Sequence, residues 1–388
     1  MKKKIYVIIK KLQFWCLSIL NKLLVKNKKK IFIEDIACIM DNHYVIFKYL
    51  LQNGYNKKYK IIYFTQKKNR LYKQNYDNVS IICRTIKGIY HKITSKYVFY
   101  AYGMNRFDCL PSKRQVIFNL WHGSPLKKIG YMKEKSIYKE EKSYTHLLVA
   151  SDFFIDIMKS AFNCSDEQIF IGGNPRNDLL FTKEDVFLKL CINKSNFKKV
   201  ICFLPTFRNS SNLNINKFSS EFPLLNNQNI DELNSKLKHD NILLIIKLHH
   251  AQVDTHMMKK EYSNIVFIKN HELEKKDVQL YELLGNCDAL LTDYSSVFFD
   301  FLILDKPIGF VLEDISEYTD KRGFVVDNPL EIMPGEKIYT YECLIKFIQN
   351  LIDDNDQFAK HRHEVNEIVN KYKYGNCKHI LDNVGIKL

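Results

Sequence analysis

The chain reads as an α/β protein built from two doubly wound parallel-sheet domains, and three features of the sequence lead to that class. Short apolar runs alternate with longer amphipathic ones along most of the chain, which is the rhythm of βαβ units. The 388 residues exceed one ordinary domain and 46% of them are apolar, so a globular chain with two cores is the natural division. The residues directly after the apolar runs are rich in Gly, Pro, Asn, His and Arg, and in open α/β sheets ligands bind beyond the carboxyl ends of the strands.

The first element is a basic helix. "MKKKIYVIIKKLQFWCLSILNKLLVKNKKK" holds ten lysines and no acid. On a helical wheel Ile5, Ile8, Ile9, Leu12, Cys16, Ile19, Leu20 and Leu23 share one face, and Lys10, Lys11, Gln13, Ser18, Asn21 and Lys22 share the other, with Val7, Phe14 and Leu17 blurring the division. Lysines interrupt the apolar run well short of the roughly 20 residues a spanning helix needs, and no small-residue cleavage site follows. Residues 1–27 therefore read as a segment lying in an anionic membrane interface, with a basic helix packed on its own domain as the alternative.

Next come the strands. "KIFIEDI", "KIIYFT", "VSIICRT", "YVFYAYG", "VIFNLWHG", "HLLVAS" and "IFIGGNP" fill a first domain, residues 28–190. After the polar, lysine-rich "TKEDVFLKLCINKSNFKK", which shows no clear strand, "VICFLPTFR", "NILLIIKLHH", "NIVFIKN", "DALLTDYSS" and "PIGFVLED" fill a second, residues 191–388, closed by a helix in "QFAKHRHEVNEIVNKYKY". Two such domains are expected to face each other across a cleft.

Composition narrows the partners. A formal net charge of +16 calls for an anionic partner: nucleic acid, acidic membrane or phosphorylated substrate. The lysines concentrate in one amphipathic segment and no RNP-like or zinc-finger pattern occurs, which argues against nucleic acid. Ten cysteines stand singly, without a C-x-x-C pair, so reduced thiols in a cytosolic setting are expected, with neither disulfides nor structural zinc.

Five strand endings supply the chemistry: Trp121-His122-Gly123, then Gly173 to Asp178 with Arg176, then Thr206 to Arg208, then Lys247 to His250, then Asp293 to Ser296. Together they offer imidazole, guanidinium, ammonium and hydroxyl groups, the equipment of a phosphate-handling cleft. His122 is a candidate general base, because neutral imidazole titrates near working pH, and a hydrogen-bonded turn residue is the plain alternative. Arg176 and Arg208 each follow a Pro turn and suit bidentate phosphate contact. Asp293 precedes an apolar run of helical spacing, so it reads as a helix cap next to amides and the Ser295 and Ser296 hydroxyls that could take a phosphate. Adjacent His249 and His250 on an extended segment point to opposite sides, so at most one serves a given site.

These residues resemble a family. "WHGSPLKKIG", "GGNPRNDLL", "LPTFR", "KLHH", "LLTDYSSVFFDF", Lys306-Pro307, "RGF" and "MPGE" occur in the order found in the CDP-glycerol glycerophosphotransferases of wall teichoic acid and related capsule synthesis, over about residues 119–336. The resemblance implies a GT-B architecture of two Rossmann-like domains, attached peripherally to the cytoplasmic face of the bacterial membrane. It implies transfer of a polyol phosphate from a cytidine diphosphate donor to a lipid-linked acceptor, with His122 as base and His249 on the donor phosphates. Asp293, Ser295, Ser296 and Arg322 would line the donor site. Trp121, Gly123, Lys127, Arg176, Asp178, Thr206, Arg208 and Lys247 complete the expected substrate contacts. His249-His250 stands where the family commonly has His-Pro, and Glu313-Asp314 where an aromatic-acid pair is often seen. No protein-bound metal or cofactor is expected, since no acidic pair at Mg²⁺-like spacing stands out. CDP-ribitol in place of CDP-glycerol, and a GT-B glycosyltransferase using a nucleotide sugar, remain the alternatives.

Overall fold

In the computed structural model the apolar runs become strands of two parallel sheets; the structure describes residues 2–36, 40–66, 70–83, 86–102, 109–133, 143–206, 222–248 and 257–388. The first sheet takes β1 (Asn27–Asp35), β2 (Lys60–Thr65), β3 (Val79–Cys83), β4 (Ser95–Tyr100), β5 (Val116–Asn119), β6 (His146–Val149) and β7 (Ile169–Ile171) in the order β3-β2-β1-β4-β5-β6-β7. The second takes β8 (Lys199–Leu204), β9 (Ile242–Lys247), β10 (Ile265–Ile268), β11 (Ala289–Thr292), β12 (Ile308–Val311) and β13 (Glu336–Ile338) in the order β10-β9-β8-β11-β12-β13. Both sheets are doubly wound, so each has a switch point where the strand order reverses: beside β1 and β4 in the first, beside β8 and β11 in the second.

Central strands are buried on both faces, which is why they read as unbroken apolar runs rather than alternating ones. Ile31, Phe32 and Ile33 of β1 lie opposite Ile61, Ile62 and Tyr63 of β2 and opposite Tyr97, Val98 and Phe99 of β4. Leu290, Leu291 and Thr292 of β11 run between Cys202, Phe203 and Leu204 of β8 and Ile308, Gly309 and Phe310 of β12. Each fully buried Phe or Leu of these ladders contributes about 1.5–3 kcal/mol by leaving water.

The chain divides into two compact units: Met1–Gly123 with Gly130–Asp178 and Lys371–Leu388, and Ser124–Ile129 with Leu179–Asn370. The first unit reclaims its carboxyl-terminal segment through specific bonds. Asp178 accepts from the amides of Asn376 and Cys377 at 2.8 and 2.9 Å, at the start of the helix Asn376–Asn383. Lys371 donates its amide to the Ala150 carbonyl, and the Tyr59 hydroxyl donates to the Lys387 carbonyl.

A helix does form at Lys2–Leu23, and it docks on the first unit by the side that carries Ser18 and Asn21. Leu17 packs with Ile93 and Cys109. Ser18 accepts from the Leu110 amide, and Asn21 Nδ2 donates to the Leu110 carbonyl and to Gln115 Oε1. Lys26 closes the joint by donating to Asn21 and to the Ile93 carbonyl. Ile9, Leu12, Ile19, Leu20 and Leu23 of the apolar stripe stay exposed, Leu23 by 74%. Among the described residues no helix is long and apolar enough to cross a membrane, and the nine described cysteines are all free.

Candidate active site

The switch point of the first sheet is where His122 arrives. It follows β5 on a turn that needs two left-handed backbones, Trp121 at φ 48° and Gly123 at φ 115°. Asn42 pins that turn: its Nδ2 donates to the carbonyls of Leu120 and Trp121 at 3.1 and 3.0 Å, and its Oδ1 accepts the Arg176 amide at 3.1 Å. The imidazole stacks on Tyr102, with ring centroids 5.1 Å apart and planes 15° apart, and lies 3.8 Å from the Trp121 ring centre at a tilt of 36°. His122 Nδ1 lies 3.4 Å from the Ala101 carbonyl. A carbonyl oxygen only accepts, so Nδ1 carries the hydrogen in this contact and the lone pair sits on Nε2. Burial pushes the imidazole below its ordinary pKa; the Asp41 carboxylate works against that shift and the Arg176 guanidinium adds to it. The result is a neutral base at neutral pH.

Arg176 stands at this turn, but not as a free phosphate clamp. Its Nη1 donates to Asp41 Oδ1 at 2.9 Å, both side chains nearly buried, and its Nη2 fills the space beside Gly123. Asp178 does not join the cluster. Its carboxylate caps the helix Asn376–Asn383, and burial raises its pKa against the hydrogen bonds from Cys377 and Asn376.

In the second unit Thr206 and Asp293 meet at the other switch point. The Thr206 amide and hydroxyl both donate to Asp293 Oδ2 at 2.8 Å, and the Thr292 hydroxyl donates to the Leu204 carbonyl at 2.9 Å. Asp293, fully buried, thus ties β8 to β11 and does not cap the helix that follows. That helix is only Val297–Phe301, with Ser296 at its N-cap making no side-chain cap bond. A five-residue helix carries little macrodipole, so the half-buried Ser295 and Ser296 hydroxyls matter more here than the helix end. Lys247 ends β9 with its ammonium donating to the Leu248 carbonyl at 2.9 Å. Lys127 pairs with Phe324 as an antiparallel bridge, and Lys128 and Val325 extend the ladder with bonds to Gly323 and Leu126. This brings Lys127 near Arg322, the end of the helix Ile315–Arg322, and sets its ammonium 5.9 Å from the Tyr318 ring centre.

Glu313 and Asp314 are drawn into the fold: Asp314 accepts from the Tyr294 hydroxyl at 2.8 Å and Glu313 from the Leu224 amide at 3.1 Å. Arg208, His249 and His250 lie outside the described residues. Among the described residues no three His, Cys, Asp or Glu side chains gather as metal ligands.

Sequence reading passed over Asp41, Asn42 and Tyr102. Asp41 and Asn42 open the helix Asn42–Gln52 after β1, and Tyr102 follows β4, so all three occupy strand ends flanking the switch point. Position after a central strand was the available signal; none carries a motif-like spacing.

Three comparisons bear on what such an arrangement serves. The family described as CDP-Glycerol:Poly(glycerophosphate) glycerophosphotransferase matches residues 17–384. The chain is similar to the teichoic acid glycerol-phosphate primase of Bacillus subtilis strain 168, 32% identical over 276 residues and 68% of each chain. It is similar over more of its length to a teichoic acid poly(glycerol phosphate) polymerase of Bacillus spizizenii, 29% identical over 373 residues, 87% of this chain and 89% of the relative. The structure of the wall teichoic acid polymerase TagF shares the fold, with a TM-score of 0.74 at 21% identity over 98% of this chain and 94% of that one.

Proposed function

Since the chain belongs to the CDP-glycerol:poly(glycerophosphate) glycerophosphotransferase family, we propose that it transfers glycerol phosphate from CDP-glycerol to a hydroxyl of a lipid-linked acceptor in teichoic acid or capsular polymer synthesis, with His122 as general base. The observation that carries the chemistry is the His122 imidazole itself: neutral, stacked in place, and with Nδ1 turned to the Ala101 carbonyl so that Nε2 is the basic atom.

In the proposed step Nε2 takes the proton of the acceptor hydroxyl as the oxygen attacks the phosphorus bearing glycerol. The new O–P bond forms as the P–O bond to cytidine monophosphate breaks, and CMP leaves with the bonding pair. The groups assigned to the donor's phosphates belong to the second unit: Lys127, Lys247, Ser295, Ser296 and Arg322, joined by Arg208 and His249 from the sequence, while Thr206 gives its amide and hydroxyl hydrogens to Asp293. Their cations and hydroxyls offset charge growing on the departing CMP. Trp121, Gly123 and Arg176 shape the turn that carries the base.

The proposal extends to the membrane. The helix Lys2–Leu23 exposes Ile9, Leu12, Trp15, Ile19, Leu20 and Leu23 beside exposed Lys11 and Lys22, and the neighbouring helix Ile86–Thr94 exposes Ile86 and Tyr90. Apolar side chains left bare among lysines fit an anionic lipid surface, at about 1 kcal/mol for each lysine close to it. The enzyme would then meet its lipid-linked acceptor as a peripheral protein on the cytoplasmic face.

Assays of the purified protein with CDP-glycerol, CDP-ribitol and UDP-sugars, each with and without Mg²⁺, test the donor. CMP release from CDP-glycerol is expected; release from CDP-ribitol alone would replace the donor, and UDP release would replace the reaction class. His122→Ala is expected to lose roughly 10² to 10⁴-fold in turnover while keeping donor binding.

A further inference from the structure

The carboxylate of Asp41 is built into the surroundings of His122 with unusual care. Its residue takes φ 76° and ψ −176°, a backbone region kept almost entirely to glycine and strained for an aspartate. Oδ1 accepts from Arg176 Nη1 at 2.9 Å and from the Asn42 amide at 2.8 Å. Oδ2 accepts from the Tyr102 hydroxyl at 2.8 Å. Tyr102 is the ring on which the imidazole stacks, and Arg176 is the side chain that fills the space beside Gly123. Behind Tyr102 the chain of polar groups continues: His43 meets its ring edge-on, His43 Nε2 lies 3.3 Å from Asp35, and Asp35 accepts from the Tyr63 hydroxyl at 3.0 Å.

We propose that Asp41 is the positioning residue of the candidate base: one carboxylate oxygen holds Tyr102 against the imidazole, the other holds Arg176 at the turn, and its charge offsets that of Arg176 as His122 takes up the acceptor's proton. The inference rests on His122 being the base. Before transfer the imidazole is neutral, and after transfer it is a cation beside a guanidinium. Without a nearby anion those two like charges would oppose the step. Asp41 supplies the anion without touching the reacting atoms. Burial works against its ionisation, but Arg176, His122, the Tyr102 hydroxyl and His43 together hold it below the usual carboxylate range, so it is charged whenever His122 is neutral.

Among the described residues the charged or titratable groups facing His122 are Asp41, Arg176 and Tyr102, and the signs of the first two make the test specific. Asp41→Asn keeps the shape and removes the anion, so the His122 titration and the acid limb of kcat should move to lower pH, by about one unit, with kcat down roughly tenfold and the KM for CDP-glycerol unchanged. Arg176→Gln should move both to higher pH. The double variant should return the titration towards the parent's, because the two charges oppose each other. The imidazole is followed in the intact, unliganded protein by NMR of ¹³C-labelled histidine, assigned with His122→Asn. If Asp41→Asn and Arg176→Gln move the titration in the same direction or not at all, Asp41 has only a packing role and the inference fails. Full turnover in His122→Asn would instead remove the base assignment, while the titrations would still report the Asp41 coupling. Should Asp41→Asn not fold, Tyr102→Phe and Arg176→Gln carry the test: the first must lower kcat at constant KM and the second must raise the limb.

Discussion

Arg176 Nη2 stands 2.3 Å from the point where a side chain on Gly123 would begin, so the residue following the candidate base is glycine for two reasons at once. Its φ of 115° excludes most side chains, and the space beside it is already occupied by a guanidinium. Gly123→Ala should therefore cost about 1–3 kcal/mol in backbone strain and drive Arg176 off Asp41. The expected result is a lower melting temperature together with a more than tenfold loss of turnover and little change in donor affinity. Parent-like turnover in a folded Gly123→Ala protein would mean that the Arg176 placement has no bearing on the base.

Thr206 and Asp293 make the corresponding joint in the second unit. Asp293→Ala would leave the Thr206 amide and hydroxyl without their common acceptor in a buried place, at about 1–3 kcal/mol for each stranded group. Urea denaturation of Asp293→Ala and Thr206→Val reads this directly, the second variant losing only the hydroxyl bond. Unchanged midpoints in both would show that the joint does not hold β8 to β11.

Ser295 and Ser296 are expected to behave in the opposite way. Both are half-buried and Ser296 makes no cap bond, so Ser295→Ala with Ser296→Ala should leave the melting curve in place. If the hydroxyls hold the donor's phosphates, calorimetric titration of CDP-glycerol should show a loss of roughly 1.5–3 kcal/mol per bond. Undiminished affinity would take these hydroxyls out of the donor site.

The nine inner strands announced themselves as apolar runs because both faces of a central parallel strand are buried, leaving no alternation to confuse the pattern; the edge strands β3, β7 and β10 read the same way although they are only partly buried. The thirteenth, Glu336–Ile338, has one apolar residue and is a strand only because Gly309, Phe310 and Val311 offer it an edge. No local rule predicts that. Among site residues, His122 was legible from its turn, whereas Asp41 and Asn42 become visible only when Arg176, more than 130 positions away, is folded back onto them. The cap role expected of Asp293 failed because Thr206, 87 positions earlier, is the better-placed donor.

The first helix docks through Ser18 and Asn21 and leaves its apolar stripe exposed, and this changes how its membrane role is tested. Removing the whole segment would strip Asn21, Lys26 and Leu17 from the first unit and confuse unfolding with detachment. Replacing Leu12, Ile19 and Leu23 by Ser alters only the exposed stripe. That triple variant should keep its melting temperature, detach from anionic phosphatidylglycerol vesicles on sedimentation, and bind the remainder more weakly as salt rises. Vesicle binding equal to the parent's would reject the membrane assignment of this helix.

Stability should also fall in mild acid. Burial lowers the pKa of His122 and His146, and burial together with Lys30, Lys60 and Lys87 lowers that of His91. The unfolded chain takes up these protons near pH 6.5 and the folded chain only below it. Between those values the unfolded state binds more protons, so stability drops as pH falls through about 6.5 and stops dropping below the folded values. Urea midpoints measured from pH 7.5 to 5 should decline; a level profile would mean that the three imidazoles are not held neutral.

The bonds that bring Lys371–Leu388 back to Asp178, Ala150 and Tyr59 also dictate a timetable. A ribosome delivers the first unit's strands early but its closing segment only after the whole second unit has been made. The usual order, in which the amino-terminal domain is complete first, does not hold for this chain: the nascent first unit emerges before the Asn376 and Cys377 amides that Asp178 binds have been made. Its bonds to Lys371–Leu388 can form only once the Leu179–Asn370 region has been synthesised.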